Sequence, residues 1–269
     1  MAQTITDTVA LIGCGRLGSA ILDGWRLTGA IAMDRLIILT PSKKASAEAA
    51  RAEGARINPP LEALTEADAV VLAVKPAKWR EAAGPLIEYL RADAVILSVM
   101  AGVRSAQLSG AFEARPIARV MPTTGVAAAQ GIASCWSGST GDRVVAHALF
   151  DRISDVVDLD EEALIDAATA VSGSGPAYVF AFIQALAEAG VAVGLSPDDA
   201  TRLARGVLRS AAAGTGGDQS LQALIAQVAS PGGTTEAGLR ALAAAGMGDA
   251  VRAAVDAALA RALELSSEI

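Results

Sequence analysis

Aromatic residues make up only 3% of this 269-residue chain, which has one histidine and two cysteines. Cys14 and Cys135 are too few for a disulfide framework, so a reducing, cytoplasmic setting is the simpler reading. No run of Lys or Arg stands out, and the net charge is −7. The electrostatic footprint of a nucleic-acid binder is therefore missing. The N-terminus, MAQTITDTVALIG, lacks a basic segment ahead of an apolar core and does not read as a signal peptide. Two stretches carry no charge, residues 120–141 and 167–187. Gly, Pro, Ser and Thr interrupt both where loops are expected, which argues against a membrane span of about 20 apolar residues. No metal site is expected.

What the chain does have is small apolar residues. The apolar share is 52%, with 26 glycines, and alanine supplies much of it. Alanine favours helix, so many close-packed helices are expected. The first half alternates between apolar runs and helical patterns. Residues 8–13 (TVALIG), 35–40 (RLIILT), 69–74 (AVVLAV), 94–99 (AVILSV), 116–121 (PIARVM) and 131–137 (GIASCWS) read as strands. Helical patterns lie between several of them, as at 42–53 and 77–90. Continuous apolar strands separated by helices indicate a mostly parallel sheet covered on both faces. After about residue 160 the strands stop and the pattern is all helix. The expected fold is α/β: a Rossmann-type, mostly parallel sheet domain over residues 1–160, then an all-α dimerisation and substrate domain over 161–269. The helix after Pro176 is apolar nearly all round and so must be buried. A small helical domain cannot readily hide it alone, so a dimer interface is inferred. Ser196, Pro197 and Asp199 signal the start of the next helix.

Two glycine loops carry the chemistry. The first, IGCGRLG, places Gly13, Gly15 and Gly18 in G-x-G-x-x-G spacing, with Arg16 and Leu17 between the last two. It follows an expected strand and opens a helix, the context in which this spacing binds a dinucleotide pyrophosphate. NAD sites usually carry an acid at the end of the second strand. Here the segment is LTPSKK, and Thr40, Ser42, Lys43 and Lys44 suit a 2′-phosphate instead. NADP(H) is thus the preferred cofactor, with NAD(H) as the alternative. Ala73, Val74, Lys75, Pro76, Ala101 and Gly102 follow later strands, at the sheet edge where ligands bind. Lys75 is either catalytic or part of the cofactor lining.

The second loop is Gly232, Gly233, Thr234 and Thr235 in ASPGGTTEAGLRAL. Free amides at a helix start bind anions. This loop either holds a substrate carboxylate, with a threonine hydroxyl beside the reacting group, or caps its helix.

These segments, with AVKP, RVMPTT and SGSGPAYVF in the same order, resemble the Δ1-pyrroline-5-carboxylate reductase family over nearly the whole chain. The resemblance implies reduction of the cyclic imino acid 1-pyrroline-5-carboxylate to L-proline by NAD(P)H, the last step of proline biosynthesis. It implies that the amides of Gly233 and Thr234 and the hydroxyl of Thr235 hold the substrate, Thr235 at the imine nitrogen. It also implies an interlocked homodimer, in the family often built into rings of dimers. His147 reads as structural. Several positions depart from the family pattern. Arg16 stands for a common Asn, and Thr123 and Gly125 are changed. Residues 220–228 lack the family's His, Lys and Asp, which fall on Ser220, Ile225 and Ala226. These departures leave room for another cyclic imine or a small 3-hydroxy acid as substrate, or for a catalytically idle NADP-binding regulator.

Overall fold

The computed structural model describes residues 8–267. Among them are eight strands in one sheet, in the order β3-β2-β1-β4-β5-β6-β7-β8. The strands are β1 (Thr8–Ile12), β2 (Leu36–Leu39), β3 (Arg56–Ile57), β4 (Ala67–Leu72), β5 (Val95–Ser98), β6 (Ile117–Pro122), β7 (Gly131–Ser137) and β8 (Ser154–Asp158). Every pairing is parallel except β6 with β7. β1 lies between β2 and β4, so the chain leaves it in opposite directions along the sheet and opens a crevice at its carboxyl end.

The sheet is buried on both faces because its strands are apolar on both. Val9 and Leu11 of β1 face one core with Leu36, Ile38 and Val71. Ala10 and Ile12 face the other, with Ile37, Val70 and Ile96. Alternate residues point to opposite faces of a strand. Helix α1 (Arg16–Thr28) covers the first face with Ile21 and Trp25. The Trp25 indole N–H donates to the Leu149 carbonyl at 2.7 Å. Helices α2 (Ala45–Ala52), α3 (Trp79–Ala83), α4 (Ser105–Ala111) and α5 (Thr140–Phe150) complete the two layers.

Two strands escape the expected pattern. β3 has only two residues, too few for a periodic signal. β8 reads SDVVD and is half exposed. As an edge strand it carries acids, which discourage pairing with another chain. The helix expected over 77–90 is instead α3 between two 3-10 turns, Pro76–Lys78 and Gly84–Tyr89. Pro76 is the first residue of one turn and Pro85 the second of the other, and proline donates no hydrogen bond to a helix interior.

The remaining helices are α6 (Leu164–Ala168), α7 (Gly175–Ala192), α8 (Pro197–Ala213), α9 (Leu221–Val228), α10 (Thr234–Ala244) and α11 (Met247–Ser267). A π-helical turn, Thr169–Gly173, joins α6 to α7. The fold divides into two compact units, one up to Gly173 with the chain from Ala258 on, the other Ser174–Ala257. Ile165, Asp166 and Ala170 are buried within the sheet unit. In the second unit α7 buries none of its residues. Val179, Phe180, Phe182 and Leu186 are all exposed on it. By length and composition alone, Leu164–Ala192 could cross a membrane.

Candidate active site

The first glycine loop leaves β1 and enters α1 along a path few residues could follow. Gly13 has φ +95, and a Cβ there would lie 2.7 Å from the Ala73 carbonyl oxygen. A Cβ on Gly18 would lie 2.2 Å from the Gly13 carbonyl oxygen, so α1 can approach the loop only with glycine at that position. Gly15 differs: a Cβ there meets no protein atom within 4 Å. The space it would fill is the cavity itself, as expected of a backbone that a ligand must approach. The Gly13 N–H donates to Leu39 and the Ala73 N–H to Ile12, tying the loop to its neighbours.

The cavity measures about 1200 Å³, large enough for a dinucleotide-sized ligand. Gly13, Gly15, Arg16, Leu17, Thr40, Ser42, Ala73, Val74, Lys75, Pro76 and Ala101 line it. Gly18 and Gly102 are not among the residues that line it. Lys43 faces a smaller adjoining hollow of about 240 Å³, with Lys44, Arg51, Ser42 and Asn58. The lining is cationic: Arg16, Lys44, Lys75 and Lys78 stand against the carboxylate of Glu81. β4 ends at Leu72, so Ala73 and Val74 belong to the loop rather than to the strand expected there.

Sequence reasoning missed Asn58. Its side-chain amide donates to the Thr40 carbonyl at 2.9 Å. Its side-chain oxygen accepts from the Thr40 N–H, also at 2.9 Å. This pair fixes the end of β2 at the wall of the cavity. The residue has φ +46, a conformation that Asn tolerates better than most. The INPP run around it was the available signal.

The second loop lies in the other unit. Gly233 caps α10 and Gly232 has φ +71. The first backbone bond of the helix runs from the Ala237 N–H to the Gly233 carbonyl. The amides of Thr234, Thr235 and Glu236 therefore have no acceptor within the helix. Neither threonine hydroxyl caps the helix. Glu236 reaches back instead, accepting from the Gly232 N–H at 2.6 Å.

Three of the departures in sequence, Thr123, Gly125 and Ser220, have local explanations. Thr123 is buried; its N–H donates to the Ile132 carbonyl and its hydroxyl accepts from the Ile132 N–H. A side chain on Gly125 would meet the Gln130 carbonyl at 2.7 Å. Ser220 caps α9 by accepting from Ala223. His147, on α5, contacts Asp151 at 2.7 Å and Asp158 at 3.2 Å. Burial lowers its pKa, but the two carboxylates outweigh this and the net shift is upward.

A glycine-rich crevice at the switch point of a doubly wound sheet, followed by a helical unit, defines a dinucleotide-binding oxidoreductase architecture. Residues 8–102 match the profile of the NADP oxidoreductase, coenzyme F420-dependent, family. Residues 162–265 match that of pyrroline-5-carboxylate reductase dimerisation. The chain is 33% identical to the pyrroline-5-carboxylate reductase of Pseudomonas aeruginosa, over 98% of both proteins. A Coxiella burnetii pyrroline-5-carboxylate reductase structure superposes with a TM-score of 0.89 at 27% identity, over 97% of this chain and 99% of that one. The Plasmodium falciparum pyrroline carboxylate reductase, solved with NADP bound, gives 0.83 at 27% identity, over 98% and 100%. The chain belongs to the pyrroline-5-carboxylate reductase family.

Proposed function

We propose that this protein reduces 1-pyrroline-5-carboxylate to L-proline, with NADPH preferred over NADH, in the cytoplasm. The full-length similarity to pyrroline-5-carboxylate reductases carries the reading. When bound, the nicotinamide cofactor supplies the hydride. Gly13, Gly15 and the start of α1 hold its pyrophosphate through backbone amides. Thr40, Ser42, Lys43 and Lys44 receive the 2′-phosphate, and no carboxylate in LTPSKK opposes it. Ala73, Val74, Lys75, Pro76, Ala101 and Gly102 shape the rest of the cleft. The cleft residues fit such a group: the space at Gly15 is open and the lining is cationic.

Gly232, Gly233, Thr234 and Thr235 hold the substrate. The amides at the start of α10 take its carboxylate, and the Thr235 hydroxyl orients the imine nitrogen. A protonated imine is already electrophilic, so the protein's task is to position it and exclude water. Thr235→Ala should lower kcat by about ten- to a hundredfold, the range that lost orientation costs. NADPH affinity should stay within about twofold of wild type, because the hydroxyl is assigned to the imine and not to the dinucleotide. Steady-state kinetics and a fluorescence titration check the two halves, and unchanged turnover removes the role of Thr235.

The chain acts as a homodimer through residues 162–265, with rings of dimers as the larger assembly. One observation favours a second reading. Residues 220–228 lack the family's His, Lys and Asp, having Ser220, Ile225 and Ala226 in their places. A different cyclic imine would then be the better substrate, and rates on five- and six-membered imino acids decide between the two.

A further inference from the structure

The loop between β5 and α4 runs from Val99 to Arg104 and brings Ala101 to the cleft. Its first end is tied to the sheet, where the Val99 N–H donates to the Leu72 carbonyl. Its other end is held by a carboxylate distant in sequence. Glu162 accepts from the Ser105 N–H and from the Ser105 hydroxyl, each at 2.6 Å. Ser105 is the first residue of α4, so Glu162 supplies a negative charge where the helix dipole favours one. Beside it, Arg104 pairs with the buried Asp166 at 3.2 Å.

Glu162 is fixed in turn by Arg119 of β6, whose Nη1 donates to it at 3.0 Å. The Arg119 side chain is only 2% exposed, and its Nη2 has no partner among the described residues. A buried ion pair seldom adds stability over a well-packed apolar pair, because desolvation offsets the attraction. It does fix geometry, since each partner allows the other few positions. Here the fixed object is the start of α4, and hence the loop that carries Ala101.

We propose that Glu162, locked by Arg119, is a positioning residue that sets the β5–α4 loop against the nicotinamide half of the bound dinucleotide. This rests on reading the cleft as the NADPH site. The ribose at the end of β2 is that of adenosine, and β4 and β5 lie beyond the switch point, on the nicotinamide side. Glu162 thus acts on one half of the ligand and not on the other.

The test compares two ligands on the purified full chain. Glu162→Gln and the milder Ser105→Ala are each titrated with NADPH and with adenosine 2′,5′-bisphosphate, which carries only the adenosine half. NADPH should bind about five- to tenfold more weakly, a modest fraction of what misplacement costs in a positioned site. The bisphosphate should bind as to wild type, and kcat should fall more than KM for the imine changes. Equal weakening of both ligands, or of neither, in the folded Ser105→Ala protein overturns the proposal. Wild-type protein that fails to bind NADPH contradicts the reading of the cleft itself, so the two failures are distinguishable.

Discussion

Gly18 shows how far a single residue can be argued from both sequence and structure. The G-x-G-x-x-G spacing selects it, and the 2.2 Å approach of a Cβ to the Gly13 carbonyl explains the selection. Gly18→Ala should push α1 off the loop, destabilising the protein by about 1–3 kcal/mol, as overpacking usually does. NADPH binding should weaken with it, and denaturant unfolding and titration together measure the effect. Wild-type stability in that variant contradicts the close packing. The cysteines permit a second statement. Burial pushes the Cys135 thiol up to about 12, and Cys14 is also raised by burial. Thiolate is the reactive form. Both should react with a disulfide reagent at pH 8 much more slowly in the folded protein than in denaturant. Fast labelling of the native chain contradicts this. Asn58 was not legible as a site residue. Its two bonds to Thr40 span eighteen residues of sequence, and spacing alone carries no sign of them.

Elements were legible where periodicity was strong. The buried central strands and the capped start of α8 follow directly from their sequences. The Ser196 side chain accepts from the Asp199 N–H at 3.1 Å, as its pattern predicts. The edge strands β3 and β8 were not legible, because a short or half-exposed strand has no continuous apolar run. β8 depends on a side-chain link as well as on its ladder to β7: His147 of α5 bonds Asp158 at its end. The folded-state pKa of His147 is raised. Its contribution is therefore full below the unfolded value of about 6.5 and is lost as pH rises through the folded value. His147→Gln should lower the thermal midpoint more at pH 6 than at pH 8.5. An equal loss at both values contradicts a charged link.

At the scale of the molecule, the apolar surface of α7 is left exposed in a lone chain. Phe180 is 63% exposed on it. The composition of this helix already asked for a partner, and the dimerisation profile covers the same residues. Sequence could not say which helices meet across that interface, since alanine-rich faces look alike. The thermal midpoint should rise with protein concentration, as mass action requires of an obligate dimer. A midpoint independent of concentration across a hundredfold range, about 2.7 kcal/mol in mass-action terms, contradicts obligate dimerisation.

The most direct measurement is NADPH oxidation by the purified protein with 1-pyrroline-5-carboxylate, repeated with NADH. Turnover to proline is expected, with NADPH preferred on the proposed contact of Ser42, Lys43 and Lys44 with its 2′-phosphate. Turnover that prefers NADH keeps the reaction but removes that role from those residues. No turnover with either cofactor, from protein that binds NADPH, contradicts the proposed reaction.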